Sequence, residues 1–253
     1  MDECKPSTTA FSVRFDTPLG PVKGQVEIDT GPMWLADLVS TAYELTDILV
    51  GRANRGQEKL GKAISCRSGC GTCCCQMVPL SGPEVLYLAD MLDAFIPDHR
   101  SAVLNRFEVI RQELERQKMI DQLLSPEYID GPVLAVARQY FSLKMPCPFL
   151  VDGSCSIYYH RPIACREYNV TSPPEWCSDP YSHDLTKVPM PVPLSAPLAR
   201  LAAALTDSKP RLIPLTLFPS WLADSGDLRQ KRWPGPELFQ QFMDELSRPY
   251  SQK

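Results

Sequence analysis

The sequence predicts a mainly α fold with small β-hairpins, in which a helical domain carries a cysteine-rich metal-binding lobe. Three observations lead to this prediction. Apolar residues recur at spacings of three and four along several segments, helix-start signals precede some of them, and alternation of apolar and polar residues is confined to a stretch near the N-terminus. The 253-residue chain is long enough to bury its own core without disulfide bonds.

Residues 11–28 alternate weakly in polarity on both sides of the Pro-Leu-Gly-Pro sequence at 18–21. This pattern predicts a short β-hairpin at the periphery of the fold. From Pro32 the period changes to three and four, so we expect an amphipathic helix that ends near Gly51. A polar segment, 52–62, then leads to a group of cysteines.

The sequence Ser-Gly-Pro-Glu at 81–84 combines a capping box with a proline in the first helical turn, which predicts a helix start. Pro97 separates this helix from a second one, and a third is expected at 132–143. The second helix has one apolar stripe that should face the core: Val103, Phe107, Ile110 and Leu114.

A loop-rich stretch follows. The Asp-Gly sequence at 152–153 predicts a tight hairpin between Cys147 and Cys155. Pro162 then opens one or two helical turns, which would bring Cys165 near a helix start.

The alternate prolines of 188–193 require an extended chain, and two more helices are expected at 196–206 and 236–246. The C-terminal helices should pack on the same domain as the cysteines. We therefore expect three regions: an N-terminal hairpin extension (1–31), a cysteine-cluster metal-binding domain (32–182) and a proline-rich, helical C-terminal extension (183–253).

The net charge of −4 and the pI near 5.5 argue against nucleic-acid binding, because phosphate contacts need a concentrated basic surface. No apolar run approaches the roughly 20 residues that cross a bilayer, so no membrane contact is expected. The N-terminus has neither the basic nor the apolar region of a secretory signal, and a cytoplasmic location is expected. The partner would be a protein or small molecule that the sequence does not identify.

Ten cysteines are the strongest chemical signal, and five of them lie within 66–75. Gly69 and Gly71 interrupt this first cysteine group and let the backbone curl so that several sulfurs can face one point. In a reducing compartment, such a group favours metal binding over disulfide bonds. The candidate metal ligands come from this group and from a second, more widely spaced cysteine group: Cys66, Cys70, Cys73 and Cys74, with Cys147, Cys155, Cys165 and Cys177.

Thiolates are soft ligands that suit Zn²⁺ and iron–sulfur clusters. The eight candidates could form two four-sulfur sites or one mixed site, and their spacing does not decide between these. The second group lacks the closely spaced cysteine pair of structural zinc sites, so we favour an iron–sulfur cluster, of the 4Fe-4S type, with Zn²⁺ as the alternative. A cluster predicts a redox or protein-modifying function, whereas zinc would make the chain a structural interaction module.

Arg161 and Arg166 flank Cys165. Their charges could offset those of thiolates and tune a cluster through hydrogen bonds, which makes both candidate cofactor-binding residues that do not ligate the metal themselves. Alternatively, Arg161 pairs with a surface carboxylate.

Several short motifs accompany the cysteines and are specific in combination: Cys66-x3-Cys70-Gly-x-Cys73-Cys74, Val78-Pro79-Leu80, Glu84, Cys147-Pro-Phe-Leu, Cys155-Ser-Ile-Tyr158, Arg161-Pro162 and Cys165-Arg166. With these motifs, residues 60–180 resemble the CxxCxxCC or YkgJ-type family of zinc- or iron-chelating domains. The chain departs from the family pattern in the three-residue gap after Cys66 and in the additional Cys75. The resemblance implies a bound metal. Because some relatives are flagellin lysine N-methylases, it also gives lysine N-methylase activity as a minor alternative.

The spacing Cys66-x3-Cys70-x2-Cys73 is also that of radical S-adenosylmethionine enzymes, a further minor alternative. Those enzymes form a barrel of alternating strands and helices, whereas the residues after Cys73 predict consecutive helices. Against the lysine N-methylase alternative, the sequence lacks a glycine-rich strand-to-helix turn for a nucleotide-like methyl donor.

Overall fold

The computed structural model describes residues 7–17, 20–125, 133–224 and 226–248. Within these ranges helices predominate and the strands form short antiparallel pairs, so the predicted mainly α fold with small hairpins is confirmed. No helix in these ranges is long and apolar enough to span a membrane. Cys4, Pro18, Leu19 and the predicted helix start at Pro132 lie outside the described residues.

The N-terminal hairpin is confirmed, since β1 (Thr8–Phe15) pairs antiparallel with β2 (Val22–Asp29). Val13, Val26 and Ile28 are buried in the same apolar core as the long helices. The hairpin is therefore part of that core and not the peripheral element that its weak alternation suggested.

The first helix, α1 (Asp37–Lys59), differs from its prediction at both ends. Pro32–Trp34 form strand β3, and the Asp37 carboxylate accepts a hydrogen bond from the backbone N–H of Trp34 at 2.9 Å at the actual helix start. The helix also continues through the polar residues 52–59. Ala53 is still buried, but residues 54–59 are partly or fully exposed, so no apolar period marks these last turns.

The predicted helices on either side of Pro97 are confirmed, and the apolar stripe of the second one is buried. The capping box is formed, because the Ser81 side chain accepts from the backbone N–H of Glu84 and the Glu84 carboxylate accepts from that of Ser81. A short helix that the sequence did not indicate comes next. The bounds are α2 (Gly82–Asp93), α3 (Pro97–Arg116), α4 (Ile120–Leu124) and α5 (Val133–Ser142).

The Asp-Gly hairpin is also confirmed, with Asp152 and Gly153 at positive φ (48° and 75°), as a tight hairpin turn requires. A 3-10 turn (Tyr158–His160) and the short helix α6 (Ile163–Glu167) follow, and α6 carries Cys165. The hairpin strands are β5 (Leu150–Val151) and β6 (Ser154–Cys155).

The C-terminal part of the chain returns to the N-terminal part at two strand pairs. Strand β4 (Pro79–Leu80), just after the first cysteine group, pairs with β7 (Ile213–Pro214), and β3 pairs with β8 (Arg232–Pro234). Both predicted C-terminal helices are confirmed, and a third one, α8, was not predicted. The bounds are α7 (Ser195–Thr206), α8 (Phe218–Asp224) and α9 (Gly235–Ser247).

Two apolar clusters support the cysteine-rich region. Side chains of α1, α2, α7 and α9 share one core with the N-terminal hairpin. A second cluster, under α2 and α3, includes Phe149 and Ile157 from the stretch that carries the second cysteine group. The loop-rich region is thus attached to the helices by buried side chains.

The carboxylate of Glu84 is completely buried and joins two helix starts. One oxygen accepts from Ser81 at the start of α2, and the other accepts from the backbone N–H of Ile163 at 2.9 Å at the start of α6. Burial raises the pKa of this carboxyl, and the hydrogen bonds from Ser81 and Ile163 oppose the rise. At the other end of α6, the Glu167 carboxylate accepts from the backbone N–H of Leu194 at 2.8 Å, so both ends of the helix are tied down.

Replacing Glu84 by Ala should lower the free energy of unfolding by at least about 2 kcal/mol, because the buried N–H groups of Ser81 and Ile163 lose their acceptor. Urea denaturation followed by circular dichroism measures the change. Glu115→Ala is the control, since that exposed carboxylate pairs with Arg111 one turn away on the solvent side, where such a contact contributes little to stability. Equal destabilisation by the two variants would contradict the role given to Glu84.

Candidate metal centre

The first cysteine group forms a series of turns between α1 and β4. The backbone N–H groups of Cys70 and Cys74 each donate to the carbonyl oxygen three residues earlier. Two backbone hydrogen bonds connect this region to the segment that carries the second cysteine group. The N–H of Cys147 donates to the carbonyl oxygen of Cys74 at 2.7 Å, and the N–H of Ser65 donates to that of Val170 at 2.9 Å. The two cysteine-rich segments are therefore in direct backbone contact.

Gly71 lies against the Asp-Gly hairpin. A Cβ atom at this position would be 2.4 Å from the carbonyl oxygen of Gly153 and 2.6 Å from Leu150 Cδ1, distances at which the atoms overlap. A side chain here would push the hairpin, and with it Cys155, away from the first cysteine group. Close packing of two backbones therefore requires a glycine.

Six of the eight predicted metal ligands line one cavity of about 160 Å³. They come from three segments, namely the first cysteine group, the Asp-Gly hairpin with its flanks, and α6. One water molecule needs roughly 10–15 Å³ of such space, so the cavity has room for more than a single ion. The six are Cys70, Cys73, Cys74, Cys147, Cys155 and Cys165.

The two remaining predicted ligands, Cys66 and Cys177, lie outside this lining. The Cys66 thiol donates to the carbonyl oxygen of Tyr168 at 3.8 Å, and Cys177 is buried in a 3-10 turn (Pro174–Ser178). Cys75 also lies outside the lining. The nine cysteines among the described residues are free thiols, and no three thiol, imidazole or carboxylate groups among those residues are already placed to hold one metal ion.

Arg161 contributes the charged side chain of the cavity lining. Its guanidinium carbon lies 4.2 Å above the Tyr158 ring, and its Nε is buried without a hydrogen-bond partner among the described residues. The alternative prediction, an ion pair with a surface carboxylate, is not found in the described part of the chain. A buried donor without a partner is costly, so this guanidinium is well suited to bind an anion.

Arg166 occupies a different position. Its Nη1 atom donates to both carboxylate oxygens of Asp47 on α1, at 2.8 and 2.9 Å. The same guanidinium donates to the carbonyl oxygens of Arg161 and Tyr159. It also lies 4.1 Å above the Tyr43 ring. These contacts hold α6 and the preceding turn against α1, so Arg166 affects the cavity through the position of those elements.

Loss of hydration raises the pKa of several cavity thiols. Burial raises the pKa of Cys147 to about 12 and that of Cys165 well above its ordinary value. Cys73 differs, because a hydrogen bond with the Cys74 thiol, helped by its own backbone N–H and by Arg161, lowers its pKa to about 7. The same hydrogen bond raises the pKa of Cys74. A bound cation would have to supply the charge that deprotonates the other thiols.

Sequence reasoning missed two features of the site. Tyr168 lines the cavity, and its hydroxyl accepts a hydrogen bond from Gln76 at 3.2 Å. The sequence did not indicate this position, because a tyrosine near a cysteine motif is not a signal of metal binding. Glu84 was predicted as a helix cap and as part of the family pattern, but not as an acceptor for α6, because its second partner, Ile163, is distant in sequence.

The helical fold and the clustered thiols define a metal-chelating cysteine-cluster domain. Residues 65–182 match the family model CxxCxxCC, described as "Putative zinc- or iron-chelating domain", so this stretch of the chain is similar to that family. The match includes both cysteine groups and confirms the resemblance to the YkgJ-type proteins. Comparison with curated proteins and with solved structures gave no match.

Replacing Gly71 by Ala should remove most of the bound metal, because the added methyl group overlaps the hairpin that carries Cys155. It should also cost roughly 1–3 kcal/mol of stability. Elemental analysis of the purified protein and urea denaturation measure the two effects. In the control Gly56→Ala, the methyl group meets nothing within 4 Å, so helix α1 should gain about 0.5–1 kcal/mol with unchanged metal content. Full metal binding by Gly71→Ala would show that the contact is dispensable.

Proposed function

We propose that this chain holds an iron–sulfur cluster, of the 4Fe-4S type, in the six-thiol cavity. The cluster would serve a redox reaction or a cluster-dependent modification of a protein or small-molecule partner in the cytoplasm. The observation that carries the proposal is the arrangement of six thiols, from three separate segments, around one cavity.

The donor set fits a cluster better than a single zinc ion. A structural zinc site uses four ligands around one ion, whereas here six soft donors line a space with room for several atoms. A 4Fe-4S cluster takes four cysteine thiolates, which would leave two of the six thiols for other roles.

Arg161 supports the same proposal. A cluster held by thiolates carries negative charge at its sulfurs, and a guanidinium that faces the cavity would offset part of it. The Nε of Arg161, which has no hydrogen-bond partner among the described residues, could donate to a cluster sulfur or a ligating thiolate.

The radical S-adenosylmethionine alternative gains no support from the fold. Among the described residues the strands form isolated pairs, whereas those enzymes need a barrel of alternating strands and helices. The spacing of Cys66, Cys70 and Cys73 alone is therefore a weak argument for that chemistry, particularly as Cys66 lies outside the cavity lining.

Protein purified without oxygen should be brown and should contain iron and acid-labile sulfide. Replacing Cys74 by Ser should remove the colour and the iron, because Cys74 lines the cavity. It should also lower the stability of the fold, since metal-binding energy is folding energy when the ligands come from distant segments. Visible absorption, iron and sulfide analysis and thermal unfolding measure these effects.

The matched control is Cys75→Ser, which makes the same chemical change one residue away but outside the cavity lining. This variant should keep its iron and sulfide. Equal loss of iron from both variants would contradict the assignment of the cavity. Colourless anaerobic protein with stoichiometric zinc would overturn the iron–sulfur proposal and favour the structural zinc module.

Replacing Arg161 by Gln should lower the reduction potential of the cluster, because the reduced state carries more negative charge and loses a nearby cation. Protein-film voltammetry measures the potential. Arg67→Gln removes the same charge from an exposed side chain next to Cys66, where solvent and salt screen it, so a much smaller shift is expected. An unchanged potential in Arg161→Gln would show that this guanidinium does not act on the cluster.

A further inference from the structure

A second, larger cavity adjoins the thiol cavity. It is a groove of about 770 Å³ between α3 and the segment 145–150, a size within the roughly 300–1,000 Å³ typical of small-molecule sites. Cys147 lines both the groove and the thiol cavity. A ligand in the groove would therefore lie beside a candidate metal ligand.

One face of α3 forms the long wall of this groove. Its lining residues recur at three and four from Asn105 to Arg116, so the groove follows the helix for about 16 Å at the usual rise per residue. The floor is apolar, with Ile110 and Met145 buried, whereas Val109 is 66% exposed. The groove thus offers elongated apolar surface that a ligand could cover.

The groove has an excess of positive charge. Two guanidinium groups and one carboxylate line it, which leaves one positive charge in a chain whose net charge is −4. Arg116 pairs with Glu113 at 2.6 Å and is neutralised. Arg106 donates to the carbonyl oxygen of Pro148 at 2.9 Å but has no ion-pair partner among the described residues. Because Pro148 follows Cys147, this positive charge lies at the Cys147 end of the groove.

We propose that the groove binds a small amphipathic carboxylate. The carboxylate would accept hydrogen bonds from the Arg106 guanidinium, and the aliphatic part would cover Val109 and the apolar floor. Charge-assisted hydrogen bonds from a guanidinium favour a carboxylate, and an aliphatic chain matches the shape of the groove. Binding does not depend on which metal is present, whereas contact with the metal centre through Cys147 rests on the proposed function.

Calorimetric titration of the full chain with sodium octanoate tests the proposal. We expect saturable binding of one octanoate, and no binding of octylammonium, which has the same chain with the opposite charge. Arg106→Gln should weaken octanoate binding at least about tenfold, because it removes the charged donor. Arg111→Gln makes the same change on the same helix but outside the groove, where Arg111 pairs with Glu108, and should leave the affinity unchanged.

A second variant, Val109→Glu, leaves the hydrogen bond between Arg106 and Pro148 intact and changes an exposed position, so the fold should be preserved. It should abolish octanoate binding. The proposal is overturned if octanoate does not bind saturably, if octylammonium binds equally well, or if binding survives both the Arg106 and the Val109 variants. Metal analysis of the same samples tests the proposed function separately. A protein that contains zinc and binds octanoate would contradict the iron–sulfur proposal and leave the groove proposal intact.

Discussion

The geometry of the thiol cavity depends on the buried carboxylate of Glu84. It is the common acceptor of two helix starts that belong to different halves of the site, so it fixes α6, with Cys165, against the segment that follows the first cysteine group. A buried carboxylate without donors, or buried N–H groups without an acceptor, would be costly. The two helix starts therefore stabilise each other, and the two cysteine groups are coupled through the helical scaffold independently of a bound metal.

The cavity places its thiols where water cannot easily stabilise their charge. Loss of hydration keeps Cys147 and Cys165 protonated, whereas the hydrogen bond with Cys74 makes Cys73 the most acidic of the thiols whose pKa is shifted. A bound metal ion would favour the deprotonated thiolates, because its charge would exceed any other in the site. Arg161 faces the same space and would offset part of the negative charge of the resulting thiolates.

Local signals explain what could be predicted from the sequence. The capping box at 81–84 and the Asp-Gly turn act within a few residues, so α2 and the Asp-Gly hairpin could be predicted from the sequence. The pairs β3–β8 and β4–β7 were not predictable, because each joins two strands that are too short to show alternation and are far apart in the sequence. Likewise, the sequence identified the cysteines but not that Cys66 and Cys177 would lie outside the cavity lining, because spacing does not fix where side chains point once loops fold back.

The pairing of β4 with β7 also bears on the order of events during synthesis. Strand β4 comes directly after the first cysteine group, but its partner is translated more than about a hundred residues later. This strand pair can therefore form only when most of the chain has left the ribosome. Until then the first cysteine group lacks this support, so we expect its thiols to be more accessible to reagents on the nascent chain than in the folded domain.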